Sequence, residues 1–339
     1  LSFGMSGRVF HAPFIHLHEG FELVGAWERS KKTIQNYYPN TKSYASLEEL
    51  LNDDSVELVI VNTPTYTHYE YTKAVLLANK DVVVEKAFTT TVAEAEELKT
   101  IAEKKNKKIG VYQNRRWDSD FKTFKKVIQS GDLGELCEVE IHYDRFNLAL
   151  SPKKHKEELN NGSGVVKDLG PHAIDAALCL FGMPQQVFAD IRITREQSVV
   201  DDYFEILLYY PTLRVRLKAG YIVKEILPSF IAHGTKGSFL KSRADIQEAA
   251  LLKDLKPNLT DWGTEPESEE GLLNIEKDGA TMRQKIKTIQ GNYYDYYDGV
   301  YQSLTQNKPM PVTVDEGTNV IRIIEAAFKS NNEKRVIEL

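Results

Sequence analysis

The sequence predicts two domains: an α/β domain over residues 1–117 on a doubly wound parallel sheet, then an α+β domain over residues 118–339 on a mostly antiparallel open sheet. Three observations lead there. The 339 residues amount to about two ordinary domain lengths. Up to about residue 113, short and nearly continuous apolar runs alternate with helical periodicity, as expected of strands covered by helices on both sides. Beyond residue 120 the strands lengthen and alternate apolar with polar residues, so one face of that sheet meets solvent.

In chain order, the first-domain strands are expected at residues 21–27, 56–62, 81–85 and 108–112. The run from Val56 to Val61 and the triplet Val82, Val83 and Val84 have the continuous apolar character of central strands. Between them, Ser46 and Glu49 form a capping-box pattern, and Val92, Ala95, Leu98, Ile101 and Ala102 recur at helical spacing. The first strand needs more residues than Leu1 to Phe3 supply, so the native chain is expected to begin several residues earlier. In the second domain, Cys137, Val139 and Ile141 alternate with Glu138, Glu140 and His142. Leu213, Val215 and Leu217 alternate with Arg214, Arg216 and Lys218 in the same way. The break between domains is expected near residues 115–120, and the polar stretch 256–270 reads as a surface loop.

Composition narrows the function classes. With 42% hydrophobic and 27% charged residues the chain has a globular balance. Its 43 basic and 49 acidic side chains leave a net charge of −6, which gives no general attraction to nucleic acid. The two cysteines, Cys137 and Cys179, are too few for a disulfide framework, and no Cys/His cluster suggests a metal. No apolar run reaches the roughly 20 residues of a membrane span, and no basic leader precedes an apolar segment. A cytoplasmic protein is the expectation.

Ser2-Phe3-Gly4-Met5-Ser6-Gly7 has the spacing of a GxGxxG turn with serine at the first position, ahead of a helical segment near residues 10–18. In such a Rossmann turn the second glycine admits the pyrophosphate of a dinucleotide and the third lets helix and strand pack closely. Gly4, Met5, Ser6 and Gly7 are therefore cofactor-binding candidates. Glu28, ending the second strand, would accept from ribose hydroxyls and favour NAD, whereas Arg29, followed by Ser30, Lys31 and Lys32, would neutralise the extra phosphate of NADP. The cofactor is expected to be NAD(P), with the choice open.

Lys86 follows the 81–85 strand, at the edge where open α/β sheets bind ligands, and an ammonium there stabilises negative charge developing on a substrate oxygen. Asp168 and His172 lie one helical turn apart in Asp168-Leu169-Gly170-Pro171-His172-Ala173-Ile174-Asp175, whether one helix kinks at Pro171 or a new one begins there. A histidine near neutral pKa can take a hydroxyl proton while a carboxylate orients the substrate. The competing reading makes Asp168 a helix cap and His172 a packed core histidine.

Together these segments resemble the Gfo/Idh/MocA oxidoreductases over essentially the whole chain. The family's Glu-Lys-Pro strand end stands here as Glu85-Lys86-Ala87, and its Asp-x-Gly-x-x-x-Asp pattern with an internal His as Asp168, Gly170, His172 and Asp175. Ala87 in place of proline is a departure; a cis bond without proline costs about 3 kcal/mol, so the Lys86 peptide is expected to be trans. The segments Gly7-Arg8-Val9-Phe10-His11-Ala12-Pro13, Asn114-Arg115-Arg116-Trp117-Asp118 and Asp202-Tyr203-Phe204 are similar to the branch containing NADP-dependent scyllo-inositol dehydrogenases. In that branch a small residue usually stands at the Glu28 position with Arg next, so Glu28 departs and Arg29 matches.

The resemblance implies oxidation of a secondary alcohol on a cyclitol or sugar, or the reverse reduction. Lys86 would be the electrophilic partner, Asp168 the orienting carboxylate and His172 the base. It also implies that Thr63, Pro64, His68, Glu85 and Asn114 line the cofactor cleft, and that Arg116 and Trp117 anchor the domain junction. The expected partners are a small polyol or sugar and further copies of the chain, with no nucleic acid or membrane. A catalytically silent NAD(P)- or sugar-sensing regulator, or a dihydrodiol- or tetrapyrrole-type reductase, would share the fold. The tyrosines of Asn292-Tyr293-Tyr294-Asp295-Tyr296-Tyr297 fit either site hydrogen bonding or a buried aromatic face.

Overall fold

The computed structural model describes residues 1–339, with the side chain of His155 outside the description. Its strands are β1 Gly25–Trp27, β2 Lys42–Tyr44, β3 Leu58–Val61, β4 Asp81–Glu85, β5 Ile109–Tyr112, β6 Leu136–His142, β7 Gln186–Arg192, β8 Tyr203–Tyr209, β9 Arg214–Gly220, β10 Phe230–Gly234, β11 Gly237–Lys241, β12 Gly271–Lys277, β13 Ala280–Ile286 and β14 Ile337–Glu338. The helices are α1 Ala12–Leu17, α2 Ile34–Tyr37, α3 Leu47–Leu51, α4 His68–Leu77, α5 Val92–Lys105, α6 Ser119–Ser130, α7 Lys154–Glu157, α8 Val165–Asp168, α9 Gly170–Phe181, α10 Gln247–Leu252, α11 Tyr294–Gln306 and α12 Val314–Glu333. Among the described residues no helix is long and apolar enough to cross a membrane.

The chain divides into two compact units. The first comprises Leu1–Asn114, Gln247–Trp262 and Asn292–Thr318, and the second the remaining segments. The division differs from a single break near residue 117 because two later segments return to the first unit. Packing explains the return: Tyr293, Tyr296 and Tyr297 are fully buried there, with the Tyr296 ring edge-on to Tyr112 at 4.8 Å. The tyrosine-rich segment is thus chiefly a core face.

In the first unit β3, β4 and β5 form one parallel sheet, and β1 pairs in parallel with β2. The two sheets border a cavity of about 380 Å³ lined by residues of β1, β3 and the Leu1–Phe3 segment. Val82, Val83 and Val84 are fully buried, as a strand covered on both faces requires. The expected pairing of Ser46 with Glu49 is present only in part: the Ser46 hydroxyl accepts from Glu49 N, but the Glu49 carboxylate reaches Ala45 N instead. Complete capping boxes lie at Thr91 and Glu94, at the start of α5, and at Thr313 and Glu316, at the start of α12.

The second unit is built on a nine-stranded sheet in the order β13-β12-β11-β10-β6-β9-β8-β7-β14, antiparallel except where β6 meets β9. Val139, Ile141, Phe204, Ile206, Val215 and Leu217 are fully buried on one face, where α9 packs against β6 and β9 and α6 against β10 and β11. The opposite face holds charges. Arg216 reaches Glu140 at 2.8 Å and Glu205 at 3.0 Å, and His142 lies between Glu140 and Asp144.

Candidate active site

In the first unit most of the candidate side chains gather at the C-terminal ends of the parallel strands. After the Leu1–Phe3 segment the chain turns at Gly4 into a helix whose π-type stretch Gly7–His11 leads into α1. The two glycines have different reasons to be glycine. A Cβ on Gly7 would lie 2.6 Å from the Ser2 carbonyl oxygen and 2.9 Å from the Asn62 amide nitrogen, so the fold itself demands the small residue. On Gly4 the nearest atom would be Ser2 Oγ at 3.6 Å, an ordinary contact. Protein packing leaves room at Gly4, as a backbone approached by a pyrophosphate requires, so the turn fits a dinucleotide.

Glu85, at the end of β4, is tied to this turn. Its Oε1 accepts from the Ser6 hydroxyl and lies 3.0 Å from His11 Nε2, while Oε2 accepts from the Lys86 backbone nitrogen at 3.1 Å. His11 Nδ1 in turn lies 2.5 Å from the Tyr297 hydroxyl. Burial disfavours the Glu85 carboxylate, but the His11 and Ser6 hydrogen bonds and the nearby Lys86 charge outweigh it and hold its pKa down at about 2. Met5 is exposed beside this network. His11 was not among the sequence candidates, although it stands four residues after Gly7 and so on the same helical face. Tyr297, 286 residues farther on, had no local signal.

The Lys86–Ala87 peptide is cis, against the trans expectation. The surroundings override the intrinsic preference: Ala87 and Phe88 are buried, and the Ala87 carbonyl oxygen is 2.8 Å from His68 Nδ1. The other ring nitrogen of His68 lies 2.9 Å from the Thr63 carbonyl oxygen. His68 therefore joins the loop after β3 to the loop after β4, and burial lowers its pKa. The Thr63 hydroxyl bonds that of Thr67, whose hydroxyl also donates to the Pro64 carbonyl, fixing the same loop. Asn114 is buried just beyond β5.

Glu28 is the candidate whose placement differs most from expectation. It is buried, and its carboxylate accepts from Thr33 N at 2.9 Å, the Thr33 hydroxyl at 2.8 Å and Ile34 N at 3.1 Å. The backbone donors at the start of α2 thus already engage this carboxylate. Arg29 and Ser30 are exposed next to it.

In the second unit the Asp168–His172 segment forms an elbow rather than one kinked helix. α8 ends at Asp168, Leu169 intervenes, and α9 starts at Gly170 with Pro171 in its first turn, where proline lacks no needed donor. Gly164 precedes α8 with φ +93°, and a Cβ there would lie 2.0 Å from Asp201 Oδ1, so this turn needs glycine. His172 is buried, its ring nearly parallel to that of Tyr143, with centroids 5.9 Å apart. Asp168 is partly exposed and lies 2.7 Å from Lys156 Nζ. Asp175, one turn beyond His172, receives two hydrogen bonds from Arg116 at 2.7 and 2.8 Å. The charge of Arg116 thus serves α9. Lys156 and Tyr143 had no signal in the sequence, because neither lies near the Asp168–His172 segment along the chain.

Residues 3–113 match the model of the oxidoreductase family's NAD-binding Rossmann fold, and residues 125–339 that of its C-terminal alpha/beta domain. The chain belongs to the Gfo/Idh/MocA oxidoreductase family. Among curated relatives, it is 38% identical over 339 residues to the scyllo-inositol 2-dehydrogenase (NADP(+)) IolW of Bacillus subtilis, covering 100% of this chain and 94% of that one. It is 36% identical to the uncharacterized oxidoreductase YhhX of Escherichia coli, over 99% of this chain and 97% of that one. Among solved structures, the oxidoreductase yvaA from Bacillus subtilis superposes with a TM-score of 0.95 at 37% identity, covering 100% and 96% of the two chains. An oxidoreductase from Bacteroides fragilis gives 0.91 at 43% identity, covering 100% and 98%. This family member accordingly pairs an NAD(P)-binding Rossmann domain with a second domain on a largely antiparallel sheet.

Proposed function

We propose that this family member oxidises a secondary alcohol on a cyclitol or sugar, or catalyses the reverse reduction. The observation that carries the reading is the elbow between α8 and α9, which holds a partly exposed carboxylate, Asp168, four residues before a histidine, His172, on a neighbouring helix. Bound NAD(P) supplies the hydride acceptor or donor. The residues of this chain do the rest. Gly4, Met5, Ser6 and Gly7 receive the pyrophosphate, with Thr63, Pro64 and Asn114 beside the cofactor. Lys86 Nζ stabilises the developing charge on the substrate oxygen, His172 takes the hydroxyl proton, and Asp168 accepts a hydrogen bond from a neighbouring hydroxyl. The full-length likeness to an inositol dehydrogenase supports a polyol substrate.

NADP is the favoured cofactor. The Glu28 carboxylate, which would repel a 2′-phosphate, is turned into the start of α2, while Arg29 is exposed beside it. Both cysteines are free thiols, in keeping with a cytoplasmic enzyme, and a homo-oligomer is part of the same reading. A panel of inositols and aldoses assayed by absorbance at about 340 nm with each cofactor tests the reading. Turnover of a polyol with NADP preferred is expected, and Arg29→Ala should raise the Michaelis constant for NADP about tenfold more than that for NAD. Cofactor binding without turnover of any polyol or sugar overturns it.

A further inference from the structure

A base must present one ring nitrogen to its substrate, and a backbone position alone does not set the plane of an imidazole. The main chain of His172 is well anchored: its helix is held by the Arg116–Asp175 pair, and its amide donates to the Leu169 carbonyl at 3.1 Å. Another element packs against the ring. Tyr143 directly follows β6, and its amide donates to the Lys218 carbonyl of β9 at 2.8 Å, fixing it to the sheet. Its side chain is 3% exposed and lies 18° from parallel to the His172 ring, at the 5.9 Å centroid spacing of an offset stack. Arg243 lies over the Tyr143 ring, its guanidinium carbon 4.7 Å from the centroid, and is itself exposed.

We propose that Tyr143 is a positioning residue that sets the ring plane of His172, and that Arg243 holds Tyr143 in that role; the catalytic part of this rests on His172 being the base of the proposed reaction. Burial, helped by the nearby Asp118 and Asp120 charges and opposed by Arg243 and Arg115, keeps the Tyr143 phenol far above its ordinary pKa. The near-parallel ring planes put the aromatic face of Tyr143 toward His172, and the phenol stays neutral near neutral pH. This separates Tyr143 from the acid and base of the site.

The test combines kinetics with the NMR signal of the His172 ring in the full chain carrying ¹³C-labelled histidine, its cross-peak assigned by its loss in His172→Gln. Tyr143→Leu should lower kcat about tenfold with the Michaelis constant for cofactor changed less than about twofold, and should move the His172 cross-peak as the ring current is lost. Tyr143→Phe, which keeps the stacked ring, should recover at least about half of kcat and return the cross-peak. Arg243→Met, at an exposed position, should lower kcat about threefold with a smaller cross-peak shift, and serves alone should Tyr143→Leu not fold. The proposal is overturned by unchanged kcat in the leucine variant, by an unmoved cross-peak, or by a phenylalanine variant as slow as leucine. Without a folded leucine variant, unchanged kcat and cross-peak in Arg243→Met overturn it. A parent that turns over no polyol sinks the proposed function instead, and the cross-peak then still decides whether Tyr143 sets the ring.

Discussion

Glu85 and Asp168 are carboxylates beside Lys86 and His172, two of the three candidate catalytic residues, yet the protein holds them in different ways. Glu85, with a side chain 13% exposed, has its oxygens engaged by Ser6, His11 and the Lys86 backbone. Asp168, 24% exposed, lies against a lysine that is itself 37% exposed. A carboxylate bonded from several sides inside the protein is a fixture, and here it fastens the fingerprint turn to the strand end that presents Lys86. An ion pair at the surface, here with a partly exposed lysine, is exchanged for another hydrogen bond at little cost, which suits a group proposed to accept a substrate hydroxyl.

The largest effects should fall on the residues beside these carboxylates. Lys86→Ala and His172→Ala should each lower turnover about 10²-fold or more while cofactor affinity, followed by fluorescence titration, stays nearly constant. Equal losses of affinity and turnover would dissolve the division of labour between the two regions.

Next comes the contrast itself. Glu85→Gln should destabilise the chain by about 2–3 kcal/mol in urea unfolding, because it disturbs a buried hydrogen-bonded charge network. Asp168→Asn should lower kcat/KM about tenfold while leaving the urea midpoint nearly unchanged. If Asp168→Asn is the more destabilising of the two, the comparison is wrong.

The same contrast has a pH signature. The Glu85 pKa lies at about 2 in the folded chain against an ordinary 4.5, so its stabilisation is complete above about pH 4.5 and disappears as pH falls toward 2. The stability difference between parent and Glu85→Gln should therefore shrink across that acid window, and a difference constant from neutral pH downward would refute the assignment.

A smaller effect of opposite sign belongs to His142 on the open face of the sheet. Its ring nitrogens lie 2.6 Å from Glu140 and 3.1 Å from Asp144, and both can donate only as imidazolium. Burial lowers its pKa, but the bonds to Asp144 and Glu140 outweigh burial and raise it above the ordinary 6.5. Its stabilisation is thus full below about pH 6.5 and lost as pH rises through the elevated value. His142→Gln should remove about 1 kcal/mol of stability near pH 6 and progressively less in alkali, measured as paired urea midpoints. A gap that widens with pH would reverse the sign.

Much of the architecture was legible along the chain because it depends on local periodicity. The valines of β4, the alternation in β6 and β9, and the spacing of Gly4 and Gly7 each encode burial or backbone approach within a few residues. Asp168 and His172 were legible as a pair for the same reason, since four residues bring them to one elbow whether or not the helix is continuous. The sequence thus determined a nucleotide-binding domain, an open-sheet domain and the positions of three candidate catalytic residues.

Contacts between residues far apart in sequence, and competition for partners, were decided only by the tertiary structure. Glu28 and Arg29 read as competing signals for the ribose end of the cofactor, and folding brought the donors of Thr33 and Ile34 to the Glu28 carboxylate, because unsatisfied backbone donors at a helix start take a nearby anion. The Lys86–Ala87 peptide read as trans from residue type alone, whereas the packing around Ala87 and His68 set it as cis. Return of the 292–318 segment to the first unit placed Tyr297 on His11, and the sheet placed Tyr143 on His172. Sequence periodicity records which face of an element is buried; it carries no record of which distant side chain will meet that face, because that contact is selected by the packing of the whole unit.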